Sequence, residues 1–170
     1  MADAFHLAQL NIGRMVAPID SPEVADFVAA LDPVNAIADT APGFVWRLQT
    51  EDGNATAIHI FDDDLLLVNM SLWESLDALA GFVYRSDHVA VMRRRTEWFE
   101  RMDQAFLVLW WVPVGTIPST ADAQARLEML RRDGPSPEAF TFRTHYPPPR
   151  SASSDAPASD VDGRWTCPTP

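Results

Sequence analysis

The sequence has no lysine and a single cysteine among its 170 residues. One cysteine, Cys167, cannot form an internal disulfide, and it excludes a zinc site built from several thiolates. All 13 basic residues are therefore arginines, and 24 acidic residues give a formal net charge of -11. A chain this acidic lacks the basic surface that nucleic acids and anionic lipids require. We therefore expect neither nucleic acid nor a membrane as a partner.

Long apolar runs and the common short catalytic motifs are also missing. No stretch approaches the roughly 18 apolar residues of a membrane span, and the N-terminus does not look like a secretory signal. Neither the glycine-rich nucleotide-binding patterns nor the GxSxG motif occurs. The four histidines have no paired metal-ligand spacing, and the acidic run 62–64 is typical of a solvated turn. We expect a cytoplasmic protein without a metal site.

A change in composition divides the chain into a domain and a tail. Residues 147–170 contain six of the 14 prolines, mixed with Ser, Ala and Asp. Such a segment is too polar and too rich in proline to offset the entropy of ordering it. We predict a domain over 3–146 and a disordered tail over 147–170, in which only Trp165 could dock on a surface.

Hydropathy predicts the element order β-α-β-β-α-β, followed by a helix and a short edge strand. The predicted strands are 4–11, 44–50, 65–73 and 105–112, the helices begin near Ser21, Glu74, Ser86 and Ser119, and the edge strand is 139–143. Pro33 should kink or break the first helix. This order is that of the ferredoxin-like α+β fold.

The third and fourth strands are apolar on nearly every residue, which predicts a sheet covered on both faces. Helices can cover one face. In a chain this short the other face needs a partner, most simply the same face of a second copy. We therefore predict a homodimer that pairs through its sheet faces.

Polar residues interrupt one face of the third strand. Asn69 and Ser71 alternate with Val68, Met70 and Leu72, which we expect to pack on the helices. In this interpretation Asn69 and Ser71 point away from the helices. Because a buried amide needs a hydrogen-bond partner, Asn69 either bonds a neighbouring backbone group or the dimer partner, or holds a ligand in a cavity.

Two polar residues fall on the apolar stripe of the helix that begins at Ser86. Histidine is the side chain whose ordinary pKa suits proton transfer near neutral pH, so His88 is either a proton carrier or a structural residue. We expect Arg95 to pair with an acid, such as Asp87 or a neighbour of Glu97 across an interface, and its alternative role is ligand binding.

Other candidate ligand-binding residues interrupt the strands or add to the aromatic content. His6 and Arg47 break the first and second strands, and Asn11 follows the first strand, where it would shape a cavity mouth. Arg47 could bind a carboxylate or phenolate through two hydrogen bonds, or reach solvent. Trp110 and the other tryptophans of the domain line an aromatic pocket or fill the core and interface.

The segments FHLAQLNIGR, LLLVNMSLWES and SDHVAVMRRRTEWF resemble an uncharacterised bacterial family of the dimeric α/β-barrel superfamily, over nearly all of residues 4–143. More distantly, Trp73-Glu74-Ser75 and Ser86-Asp87-His88 are similar to motifs of the antibiotic-biosynthesis monooxygenases. Cofactor-independent enzymes of that type carry an asparagine four residues before the tryptophan, which helps to bind and activate an aromatic substrate. Asn69 and Trp73 keep that spacing. The resemblance implies a ferredoxin-like subunit, with helices on one face, that pairs into a barrel.

Three functions are consistent with these residues. The first is a cofactor-independent enzyme of secondary metabolism, monooxygenase-like or an isomerase or cyclase, acting on an aromatic or polyketide-like substrate. Asn69 would orient a carbonyl or phenolate, Trp73 would stack on the substrate or donate to it, and His88 or His6 would move a proton. The second is a haem-binding protein with His88 as axial ligand, although Phe82 replaces the tryptophan of the haem-degrading branch. The third is a dimer that binds a ligand or partner without catalysis.

Overall fold

The computed structural model describes residues 4–49, 61–85 and 88–150, with the side chain of His88 outside the described part. Its strands are β1 (Phe5–Arg14), β2 (Phe44–Arg47), β3 (Leu66–Trp73) and β4 (Leu107–Pro113). Its α-helices are α1 (Ala25–Asp39), α2 (Leu76–Arg85), α3 (His88–Arg93), α4 (Arg95–Trp98) and α5 (Thr120–Asp133). A short 3-10 turn, Pro22–Val24, leads into α1.

The four strands form one antiparallel sheet in the order β2-β3-β1-β4. With α1 after β1 and helices after β3, this is the ferredoxin-like plan, so the predicted α+β fold is confirmed. β1 is central: β3 pairs with one side of it, from Leu7 opposite Trp73 to Arg14 opposite Leu66. β4 pairs with its other side, from Phe5 opposite Pro113 to Asn11 opposite Leu107.

Helices of one chain cover both faces of the sheet. α5 packs on the face that carries the even-numbered residues of β1 and β3, and the core there includes Ala8, Leu10, Val68, Met70, Leu72, Val108, Trp110, Ala123, Leu127 and Leu130. α2 packs on the opposite face, where Leu7, Trp73, Leu79, Leu109 and Phe140 form a second core. The prediction for β3 is therefore wrong in one respect. Asn69 and Ser71 point toward the first four helices, because the apolar face of β3 lies against α5.

This arrangement removes the packing argument for a second copy, since α5 supplies the cover that a partner was expected to give. The homodimer now rests on the family resemblance alone. That resemblance predicts a dimer at micromolar concentration by sedimentation equilibrium, and a monomer in that experiment would contradict it.

Several boundaries differ from the sequence-based expectations. β1 continues to Arg14, so Asn11 lies inside the strand rather than after it. α1 runs without a break through Pro33. The single helix expected from Ser86 is two short helices, α3 and α4, on either side of Arg94.

The C-terminal part of the domain agrees more closely with expectation. Ser119 caps α5 as predicted, because its hydroxyl accepts from the backbone N–H of Asp122 while the Asp122 carboxylate accepts from that of Ser119. In place of the edge strand 139–143, only isolated bridges join Phe140 to Leu109 and Ala139 to Ser136. Most of the predicted tail, Trp165 included, lies outside the described residues. None of the described helices is long and apolar enough to cross a bilayer.

Leu127 of α5 tests the cover of the sheet, because its side chain is fully buried against the strands. Leu127→Ala should lower the free energy of unfolding by about 2–5 kcal/mol, since it deletes buried methyl groups and leaves a cavity. Urea denaturation followed by circular dichroism measures this. The control is Glu128→Ala, an exposed change on the same helix, for which we expect a shift within about 0.5 kcal/mol. Equally small effects at both positions would show that α5 does not cover the sheet.

Candidate functional site

A cavity of about 240 Å³ lies between the sheet and the helices α1 to α4. Its floor is polar and comes from adjacent positions of β1 and β3: Gln9, Asn11, Asn69 and Ser71. Its roof is mainly apolar and comes from the helices: Phe27, Leu31, Val34, Leu79, Phe82, Val83, Val91 and Met92. Ligand pockets in proteins commonly measure roughly 300–1,000 Å³, so this cavity suits a small ligand of one or two rings.

Three of the four floor side chains form one chain of hydrogen bonds with Trp73. The indole Nε1–H of Trp73 donates to Ser71 Oγ at 2.9 Å, and the Ser71 hydroxyl donates to Gln9 Oε1 at 2.9 Å. Gln9 Nε2 then donates to Asn11 Oδ1 at 2.6 Å. Gln9 and Ser71 are buried, and the chain gives each the partner that a buried polar group needs. The chain ends at Asn11, whose NH₂ group donates to none of the described residues.

Asn69 lies directly opposite Asn11 in the β1–β3 ladder and lines the same cavity. Asn69 is exposed to solvent. Within the described ranges its amide makes no hydrogen bond, so the sequence-based alternative of a neighbouring partner is not seen there. Two amide groups side by side offer N–H donors for the carbonyl or phenolate oxygen of a ligand.

Trp73 lines the cavity and is only 1% exposed. Its ring stacks on Phe82 with the centroids 5.2 Å apart, and it meets Phe44 edge to face at 5.4 Å. Its N–H is already bonded to Ser71. Donation to a ligand, one of the two roles expected for Trp73, would therefore require Ser71 to give up that bond.

Two arginines also line the cavity. Arg47 Nε donates to Asp39 Oδ1 at 2.7 Å and its terminal nitrogen donates to Oδ2 at 3.2 Å. The Arg95 guanidinium lies 4.8 Å from the centre of the Phe106 ring. No carboxylate in the described part of the chain forms an ion pair with Arg95. Asp87, the partner suggested by the sequence, lies outside the described residues.

The structure does not place His6 or Trp110 in the cavity, which corrects their assignment as ligand-binding residues. Side chains alternate between the faces of a strand, and His6 shares the face of Ala8. Trp110 lies opposite Ala8 in the β1–β4 ladder and is buried in the core against α5. The side chain of His88 lies outside the described part, so its proposed roles as proton carrier and haem ligand stay predictions.

Sequence reasoning missed Gln9, which connects Ser71 to Asn11. The sequence does indicate Gln9, because Gln9 and Asn11 are polar residues two positions apart in a strand and so share a face. The apolar roof had no comparable signal, since the pairing of α1 and α2 with this face is set by tertiary packing.

The cavity wall includes a close approach between Gly13 of β1 and Phe99, the residue after α4. A Cβ atom at Gly13 would lie 2.8 Å from the Phe99 ring, so a side chain there would force the ring to move.

The neighbouring Arg14 pairs with Asp63 at 2.9 Å and with Glu100. The backbone N–H of Leu65 and the Arg14 side chain lower the pKa of Asp63 by hydrogen bonding. No cluster of three or more metal-ligating side chains occurs among the described residues.

These features define a ferredoxin-like domain with a small ligand-sized cavity between the sheet and its helices. The chain belongs to the family described as domain of unknown function DUF3291, whose model matches residues 6–156. No curated protein and no solved structure is significantly similar to it.

The hydrogen bond between Trp73 and Ser71 can be tested by a double-mutant cycle. Ser71→Ala leaves a buried indole N–H and a buried amide carbonyl without a partner, and should lower the free energy of unfolding by about 1–3 kcal/mol. In a Trp73→Phe background the same change should cost at least about 0.5 kcal/mol less, because one of those groups is gone. Urea denaturation of all four proteins gives the coupling. Strictly additive effects would contradict the hydrogen-bond chain.

Proposed function

We propose that this domain is a small-molecule enzyme that acts on an aromatic or polyketide-like substrate in the cavity. The observation that carries the proposal is the pair of facing amides, Asn11 and Asn69, on the floor of a cavity with an aromatic end. Such a site holds a flat ring against apolar walls and directs N–H donors at one oxygen of it.

The reaction class follows from what the amides can do. N–H donors stabilise negative charge that develops on a carbonyl or phenolate oxygen when the substrate gives up a proton, and His88 is the predicted acceptor of that proton. The resulting electron-rich anion can itself reduce dioxygen: the substrate loses two hydrogen atoms and gains one oxygen atom as a carbonyl, and the second oxygen atom leaves as water. Without oxygen, the same anion can take the proton back at another position, which is an isomerisation, or it can cyclise. The proposal therefore includes both a cofactor-independent oxygenation, like that of the antibiotic-biosynthesis monooxygenases, and a non-oxidative rearrangement.

The cavity size bears on the alternative functions. A cavity of about 240 Å³ favours a ligand of one or two rings over a large macrocycle such as haem. A protein that binds the same ligand without converting it has the same cavity, so turnover is the measurement that separates an enzyme from a binder.

The role of Asn69 is tested by turnover of a panel of dihydroxynaphthalenes, with oxygen uptake and product masses recorded in air and under nitrogen. We expect conversion by the wild-type chain, and a loss of roughly 100-fold in kcat for Asn69→Ala, since it removes a donor to the developing oxyanion. Asn69→Asp, which keeps the shape but loses the donor, should be equally impaired.

Gln124→Ala is the matched control, because it deletes an amide on α5, which packs on the opposite face of the sheet from the cavity. It should leave turnover unchanged. Wild-type activity retained in Asn69→Ala would remove the proposed role of Asn69. Binding of the panel by the wild-type chain without any conversion would favour the non-catalytic alternative.

A further inference from the structure

We infer that the ligand of this cavity carries one negative charge, a carboxylate or a phenolate, and that Arg95 binds it. The inference rests on the proposed function in taking the cavity as the ligand site. It adds the charge of the ligand and the residue that selects it.

Charge is distributed unevenly between the cavity and the rest of the chain. The chain has 24 acidic residues against 13 arginines. Yet, within the described ranges, no Asp or Glu lines the cavity, whereas Arg47 and Arg95 both do. The cavity wall is thus positively charged in a strongly acidic protein, which is the arrangement that attracts an anion.

The two arginines are not equivalent. Arg47 is held by two hydrogen bonds to Asp39, so its charge is balanced within the chain. Arg95 is partly buried, its guanidinium lies over the Phe106 ring, and its N–H donors make no hydrogen bond to any described residue. A partly desolvated guanidinium is stabilised by a counter-ion, and in the described part of the chain none is present at Arg95. The neighbouring Arg94, by contrast, is exposed and pairs with Asp26 and Glu97.

The position of Arg95 matches that of the amides. Phe106, on which it rests, precedes Leu107, and Leu107 lies opposite Asn11 in the β1–β4 ladder. Asn11 in turn faces Asn69. The charged group and the amides therefore lie at the same end of the floor, while Trp73 lines the cavity four residues and about 13 Å further along β3. This geometry fits a short aromatic acid whose ring points toward Trp73.

The test compares 2-naphthoate with its neutral analogue 2-naphthamide by isothermal titration calorimetry on the full chain at pH 7.5. The wild-type protein should bind the naphthoate about tenfold more tightly, as expected for hydrogen bonds to a charged group. Arg95→Gln should abolish that preference and leave the affinity for the amide unchanged. Arg95→Lys, which keeps the charge but loses the two-pronged geometry, should retain part of the preference.

Arg93→Gln is the matched control: it removes an exposed arginine two residues away that does not line the cavity, with the same change in net charge. It should keep the full preference. Circular dichroism confirms that each variant is folded. Equal wild-type affinity for the two ligands would overturn the inference and leave the proposed function standing, as would a preference that survives in Arg95→Gln.

Two further outcomes separate the possible failures. A preference that emerges only in Asp87→Asn would show that Asp87 already neutralises Arg95, and would overturn the inference. Failure of the wild-type chain to bind either compound at millimolar concentration would count against the aromatic-ligand site itself, and so against both proposals.

Discussion

The double pairing of β1 is the constraint on which the site depends. Because β3 and β4 hydrogen-bond to both sides of β1, its register is fixed, and its side chains must alternate strictly between the two faces. Gln9, Asn11 and Gly13 consequently share the cavity face, and Ala8 and Leu10 share the α5 face. A shift of one residue would bury two amides in the apolar core against α5 and place leucine on the cavity floor. The polar floor is thus a consequence of backbone pairing as much as of side-chain chemistry.

The hydrogen-bond chain explains how a polar floor is tolerated at the centre of a sheet. Each group in the chain donates a hydrogen bond to the next, from the Trp73 indole through Ser71 and Gln9 to Asn11. The last free donor therefore appears at the end of the chain that faces Asn69 and the solvent-accessible part of the cavity. The aromatic end of the cavity has its polar groups satisfied internally, so it favours apolar rings, and the amide end has donors to offer. We expect the ring of a ligand to bind at the Trp73 end of the cavity and its reacting oxygen to lie at the end formed by Asn11 and Asn69.

Sequence periodicity predicted the fold well where strands and caps are locally encoded. The apolar run that became β3, the order of the elements and the Ser119 cap needed no tertiary information. It failed where the outcome depends on which helix meets which face. The two-sided burial of β3 was recognised, but α5 fulfils it within one chain. The positions of His6 and Trp110 were wrong for a related reason. His6 lies two residues before Ala8 and Trp110 lies opposite it, so both share the face of Ala8, which packs on α5. The residue types alone do not show which face that is. Asn11, Asn69, Arg47 and Arg95 were identified from residue type and position, and the structure brings these four together.

The separation of charge between surface and cavity bears on selectivity. Carboxylates of this chain, such as Asp26, Asp63 and Glu97, lie at the periphery, where they pair with arginines that do not line the cavity. An anionic ligand approaching such a protein is repelled at long range, since the net charge is -11. Screening by physiological salt limits that repulsion to within about 8 Å. Inside the cavity Arg47 and Arg95 line the wall and no described Asp or Glu does. If the ligand is the anion that we propose, short-range recognition by a guanidinium and two amides must outweigh the distant charges. A neutral ligand would gain nothing from the guanidinium, so the proposed preference for an aromatic acid or phenolate depends on this separation of charge.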